Sequence, residues 1–170
     1  PGKSAPIPWV YAEIARALAP CDLVEILCHS EEVRESARAV LQAHGVPEAR
    51  RRLHVVPTDR VWLRDSGPTG VLDPDGRVRL VHWHFDAWAK YDNWRLDAGV
   101  GAAVARITGL ERLEPRRPDT GARLVLEGGG IEVNGDGLLL VTEEWLLSDV
   151  QGRNPGLRRE DYEALFAEWL

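Results

Sequence analysis

The residues best suited to chemistry lie in two stretches, VWLRDSGPTGV at 61–71 and RLVLEGGGIEVNGDGLLLVTEEWLL at 123–147. In the first, Val61, Trp62 and Leu63 read as the end of a buried strand that Ser66-Gly67-Pro68 must break. Arg64 and Asp65 then stand at a strand's carboxyl end, on the lip of a core. A carboxylate fixed there can hold a cationic ligand, because two coplanar oxygens match two N–H groups of a guanidinium or amidinium. The plainer alternative is that Asp65 caps a turn and Arg64 is its surface partner. In the second stretch, 123–126 reads as a strand with Glu127 at its end, and three glycines permit positive φ or a very close backbone approach. A dinucleotide fingerprint needs a helix after its glycine loop. Here a hairpin is expected, 131–133 and 138–141 across Asn134-Gly135-Asp136-Gly137, so phosphate cradling fits poorly.

Other chemistry-bearing residues carry weaker readings. His82, His84 and Asp86 alternate on one face of an expected strand, the spacing of a conceivable metal site. Same-face neighbours on a strand are about 7 Å apart, too far for three ligands on one ion without a bend. Hydrogen-bonded or solvent-facing histidines are therefore the preferred reading. Cys21 and Cys28, with six residues between them, suit neither a redox pair nor a zinc knuckle, and both are expected as core thiols.

Bulk properties exclude several function classes. A net charge of -6 and a pI near 5.4 argue against nucleic acid, and the Arg pairs at 51–52, 116–117 and 158–159 lie beside turns or Glu. No run approaches a membrane span, and PGKSAPIPWV has no signal-peptide core, so the expected setting is soluble and cytoplasmic. The 170 residues suffice for one domain or part of a larger one. They include no Met and stop at Trp169-Leu170 with an amphipathic helix still running, so the chain is expected to be truncated at both ends.

The elements that must position these residues alternate. A helix is expected over 4–19, with Ser4 as N-cap and Ile7, Val10, Tyr11, Ile14, Ala15 and Leu18 on its buried face. A strand over 23–28, a helix from Ser30 to His44 ended by Gly45, and a strand over 52–56 follow. A turn at 73–76 joins strands 69–72 and 77–85, an aromatic loop covers 91–95, and a helix runs over 96–108 to Gly109. Thr142-Glu143-Glu144 opens a short helix with Trp145, and 157–170 reads as the last helix. This is an α/β pattern.

Four segments, VPTDRVWLRDSGPT (56–69), FDAWAKYDNWRLD (85–97), VLEGGGIEVNGDGLLLVTEEWLL (125–147) and RNPGL (153–157), together resemble the agmatine deiminase family, grouped with the bacterial-type peptidylarginine deiminases. The resemblance implies a pentein fold, an α/β propeller of five ββαβ-type modules around a central active-site channel. The elements above are compatible with about two and a half such modules, as a repeat architecture reads. Residues 1–170 would then be the N-terminal half of a single pentein catalytic domain. The implied chemistry needs no metal or cofactor. A cysteine thiolate adds to the guanidinium carbon, ammonia leaves from a thiouronium intermediate, and water releases the ureido product, with a histidine as general acid and base.

Residue by residue, Asp65 matches the family's guanidinium-binding aspartate, an expected catalytic and substrate-binding residue. Trp62 matches the tryptophan of the same motif and would wall the channel. Arg64 would buttress Asp65. Glu127 matches the glutamate of the EGG motif and would line the site, its rival role being a hydrogen bond to its own glycine loop. Lys90 and Tyr91 resemble an entrance loop. The family's GHxD-type histidine motif and its late cysteine match nothing in the 170 residues. Trp145 stands where many relatives carry Cys, and Asp86 where Asn is common. The implied substrate is a small cationic guanidinium compound, agmatine, converted with water to N-carbamoylputrescine and ammonia. A peptidylarginine or other guanidine deiminase is the near alternative, and a non-catalytic fragment or cation-binding domain the distant one. The sequence leaves a homo-oligomer open. A partial propeller would expose strand edges and apolar surface, and hence self-associate.

Overall fold

Short apolar runs between capped helices build the first part of the chain. The computed structural model describes residues 6–170, which divide into two compact units, one running up to Pro57 and the other Thr58–Leu170. In the first, α1 (Ile7–Leu18), β1 (Val24–Cys28), α2 (Glu31–Ala43) and β2 (Arg51–Val55) follow the expected order. β1 and β2 pair in parallel, Val24 opposite Arg51 through Cys28 opposite Val55, and α2 supplies the crossover that parallel neighbours require. Ser30 starts α2 as expected, its Oγ accepting from the Val33 N–H at 3.3 Å, with Glu31 and Glu32 in the first turn. Gly45, at φ 71°, turns the chain out of the helix.

The buried face of α1 differs from the expected one. Ala12, Ala15 and Ala19 are buried with Leu41 and Val46, whereas Ile7, Trp9, Val10, Tyr11, Ile14 and Leu18 are exposed. Two short strands and one partner helix offer a narrow surface, which the alanine stripe fills at close range. Ser4, the expected cap, lies outside the described residues. Cys28 is buried as expected, but Cys21 is exposed, because it follows Pro20 in the turn ahead of β1 and not in the strand.

The second unit contains α3 (Leu63–Ser66), β3 (Thr69–Leu72), β4 (Val78–Val81), α4 (Val100–Thr108), β5 (Arg112–Leu113), β6 (Glu132–Val133), β7 (Leu139–Leu140), α5 (Glu143–Leu147) and α6 (Arg159–Trp169). β3 and β4 form the expected hairpin, with Asp73 Oδ1 accepting from the Asp75 and Arg77 N–H groups at 2.9 Å. β5 adds to β4 in parallel, and β6 pairs with β7 antiparallel. Val81, Trp83, Leu124, Leu126, Ile131 and Leu165 form the core, against which Trp145 and Phe166 pack.

Two expected strands are absent. Val61, Trp62 and Leu63 are exposed, and Leu63 opens the single-turn α3. Within 61–63 the Leu63 N–H bonds to the Val61 carbonyl at 3.0 Å and so does not serve a ladder. Just ahead of them Asp97, fully buried, fixes the chain, its Oδ1 accepting from the Asp59 and Arg60 N–H groups at 2.8 and 3.1 Å. At 123–126 there are only single bridges, Val125 with His84 and Arg123 with Arg116. Asn154 brackets Val125, accepting from its N–H at 2.9 Å and donating to its carbonyl at 2.8 Å, and so occupies the edge a further strand would use.

Among the described residues no helix is long and apolar enough to cross a membrane. Trp9, Tyr11, Val61, Trp62 and Val150 are among many exposed large apolar side chains. We therefore expect the 170-residue chain to self-associate, with a concentration-dependent sedimentation coefficient. A single monomeric species with a cooperative melt would contradict this.

Candidate functional site

α3 carries Asp65, and three glycines bring it against the Glu127 segment. The Gly67 N–H bonds to the Leu63 carbonyl at 2.8 Å, and Ser66 Oγ donates to the Trp62 carbonyl at 3.2 Å, closing the turn. Gly128–Gly130 forms a 3-10 turn beside it. None of these glycines has positive φ; close approach is what requires them. A Cβ on Gly128 would stand 2.4 Å from the Arg64 carbonyl oxygen, and one on Gly129 would stand 2.2 Å from Asp65 Oδ1. The Gly129 backbone thus lies directly against the Asp65 carboxylate. Burial raises the pKa of Asp65 above the ordinary carboxylate value, and the Gly129 N–H and the Arg64 charge oppose that rise. The result is a half-buried carboxylate, held on one side by backbone and free to accept from a donor on the other.

Arg64 does not ion-pair with Asp65. Its Nη2 donates to the Ile131 carbonyl at 3.2 Å, tying α3 to the start of β6. Trp62 is 58% exposed, and its carbonyl accepts from the Asp65 and Ser66 N–H groups. Glu127 is 1% exposed. Its carboxylate does not cap its own glycine loop: Oε1 accepts from Arg153 Nε at 2.8 Å and Oε2 from Trp145 Nε1 at 2.8 Å. Only its backbone carbonyl serves the loop, accepting from the Gly130 N–H at 2.9 Å. Burial raises the pKa of Glu127, Arg153 and Trp145 counter the rise, and Asp86 adds to it.

Ahead of α3, Arg60 is held by an aromatic and polar loop. Arg60 binds Asp97 Oδ2 at 3.3 Å and Asn93 Oδ1 at 2.6 Å, and lies over the Trp88 and Tyr91 rings at 5.6 and 5.1 Å. Ala87, Trp88 and Ala89 all take left-handed backbone, at φ 55°, 63° and 54°, with Asp86 Oδ1 accepting from the Ala89 N–H. Such a turn costs about 1 kcal/mol per residue, and the Phe85, Trp88 and Tyr91 edge contacts offset it. Lys90 lies 5.5 Å from the Tyr91 ring.

His82 is buried, not solvent-facing, its ring packed on Gly101 where a Cβ would come within 2.2 Å. His84 is half-buried against the Trp94 edge. Among the described residues no three His, Cys, Asp or Glu side chains gather to hold a metal ion. Burial lowers the pKa of His82 to about 4; Arg123 and Arg112 reinforce this and Glu114 opposes it. The unfolded chain takes up this proton near pH 6.5 and the folded one near 4, so stability is lost as pH falls across that window. The loss approaches roughly 3 kcal/mol. Urea unfolding from pH 7.5 to 4 is expected to be flatter in His82→Gln than in the native protein; parallel curves would contradict the assignment.

The sequence singled out Asp65 and Glu127, and the structure brings their segments together. It missed the buried anchors Asp97, Arg153 and Asn154. Asp97 at the start of an expected helix and the polar pair inside RNPGL were the available signals.

Residues 1–170 match the family model for Porphyromonas-type peptidyl-arginine deiminase. Over 97% of this chain, a curated relative from Ectopseudomonas mendocina named agmatine deiminase is 37% identical. One of the same name from Stutzerimonas stutzeri is 37% identical over 99%. The chain spans about 42% of the length of the first and 43% of the second. A solved structure described as the agmatine deiminase of Enterococcus faecalis catalysing its reaction superposes with a TM-score of 0.80 at 27% identity. It covers 99% of this chain, which covers 44% of it.

Proposed function

Because the chain belongs to the Porphyromonas-type peptidyl-arginine deiminase family, we propose that it is the guanidinium-binding part of a guanidine hydrolase acting on agmatine. The observation that carries this reading is the half-buried Asp65 carboxylate packed on the Gly129 backbone, set against the Glu127 segment, in a chain alike throughout to relatives named agmatine deiminase. Asp65 would take two N–H groups of the substrate guanidinium, and Glu127 would line the same site. Trp62 would form a wall beside them. The cysteine and histidine of the implied reaction match no residue here. This chain's contribution is therefore to bind and orient, fixing the guanidinium carbon for attack while ammonia leaves and water releases N-carbamoylputrescine.

The same reading makes residues 1–170 the N-terminal half of one pentein catalytic domain, a partial propeller. It sets the reaction in the cytoplasm, supplying N-carbamoylputrescine, the carbamoylated precursor of putrescine, for polyamine synthesis, with no cofactor. The test is ammonia release by the intact protein from agmatine, free arginine and an arginine-containing peptide. Agmatine is expected to be the preferred substrate by kcat/KM. Preference for the peptide would move the assignment to peptidylarginine, and no release from any of the three would remove it.

A further inference from the structure

Glu127 is held by two side chains from outside its own segment, and each takes a different oxygen. Arg153 Nε donates to Oε1 and Trp145 Nε1 to Oε2, both at 2.8 Å, so each oxygen keeps one acceptor direction. Both donors are fixed in turn. Arg153, 9% exposed, also donates through Nη1 to the Gln151 carbonyl. Its neighbour Asn154 brackets Val125 on both backbone groups and donates to Tyr162 Oη at 3.1 Å. The loop bearing Arg153 is thus bound to the segment that ends in Glu127. The Trp145 ring lies on Gly130, where a Cβ would come within 2.4 Å of Cζ2.

We propose that Arg153 and Trp145 are the positioning pair of the site, holding the Glu127 carboxylate in one orientation with its remaining lone pairs presented to a guanidinium ligand. This rests on the reading that Glu127 borders the guanidinium site. Glycine at 130 belongs to the device, since any side chain there would displace the indole. The charged groups facing Glu127 are Arg153, which favours its ionised form, and Asp86, which opposes it. The pair's second role is to oppose the rise in pKa that burial imposes on this carboxylate.

The test uses the intact protein with Arg153→Met, Arg153→Lys and Trp145→Phe. Two quantities are read: agmatine kinetics against pH, and the carboxyl titration of Glu127 by 13C NMR with labelled glutamate, assigned by Glu127→Gln. In Arg153→Met the Glu127 titration and the acid limb of kcat/KM are expected to rise together, by about one unit or more. KM is expected to rise roughly ten-fold. Arg153→Lys should restore most of both, and Trp145→Phe should shift both less, in the same direction. Variants that melt earlier with the titration and the acid limb unmoved would overturn the proposal, leaving the pair a packing feature. If the native protein does not turn over agmatine, the function above falls. The carboxyl titration still decides whether the pair controls Glu127.

Discussion

Alanine at Gly129 is expected to remove most turnover while the fold stands, and alanine at Gly128 is expected to take the fold with it. The two positions are adjacent, and the difference lies in what each Cβ would meet. At Gly129 the obstacle is Asp65 Oδ1, the end of a side chain, which can rotate away. That rotation takes the carboxylate away from the Gly129 backbone and out of register, costing about 1 kcal/mol of stability. A misplaced clamp costs roughly a hundred-fold in kcat/KM. At Gly128 the obstacle is the Arg64 carbonyl oxygen at 2.4 Å, which can move only if α3 moves. That overpacking costs roughly 3 kcal/mol. Thermal melts and agmatine kinetics of both variants separate the two effects. Native kinetics in Gly129→Ala would show that the glycine loop does not set the position of Asp65.

Asp65→Asn is expected to lower kcat/KM for agmatine roughly a thousand-fold, because a neutral amide gives up the charge-assisted bonds and presents an N–H where the ligand also donates. Stability is expected to move the other way. Burial raises the pKa of Asp65, so the folded state holds this proton more tightly than the unfolded one. The group's stabilising contribution is full below the unfolded pKa and lost as pH rises through the raised folded value. Ionising Asp65 in the folded state is therefore a net cost, and Asp65→Asn should melt no earlier than the native protein. A variant that loses activity only in proportion to lost stability would make Asp65 a structural residue.

The local chemistry of the two motifs was legible because it depends on near neighbours. Gly128–Gly130 could be read as a loop of either positive φ or close approach, of which the structure shows the second, and Asp65 as a carboxylate beside a turn, from residue type and spacing alone. The Ser30 cap and the 73–76 turn were legible for the same reason. What was not legible depends on partners distant in sequence. Val61, Trp62 and Leu63 have the composition of a buried strand, yet Asp97, thirty-odd positions on, takes the N–H groups just before them. Glu127 was narrowed to two roles, and its carboxylate meets Arg153 and Trp145, which no local pattern links to it. In α1 the helical period was right and the buried face was not. Periodicity finds an apolar stripe, but the alanines decide which side can approach a partner closely.

We propose that this chain belongs to an enzyme that removes one nitrogen from a guanidinium and leaves the ureido carbon on the amine. The most direct measurement is 13C NMR of agmatine labelled at the guanidino carbon, incubated with the intact protein. The expected result is replacement of the guanidinium resonance by a ureido resonance still bonded to the butylamine chain, with stoichiometric ammonia. An unchanged guanidinium resonance, or label released as free urea with putrescine, would contradict it.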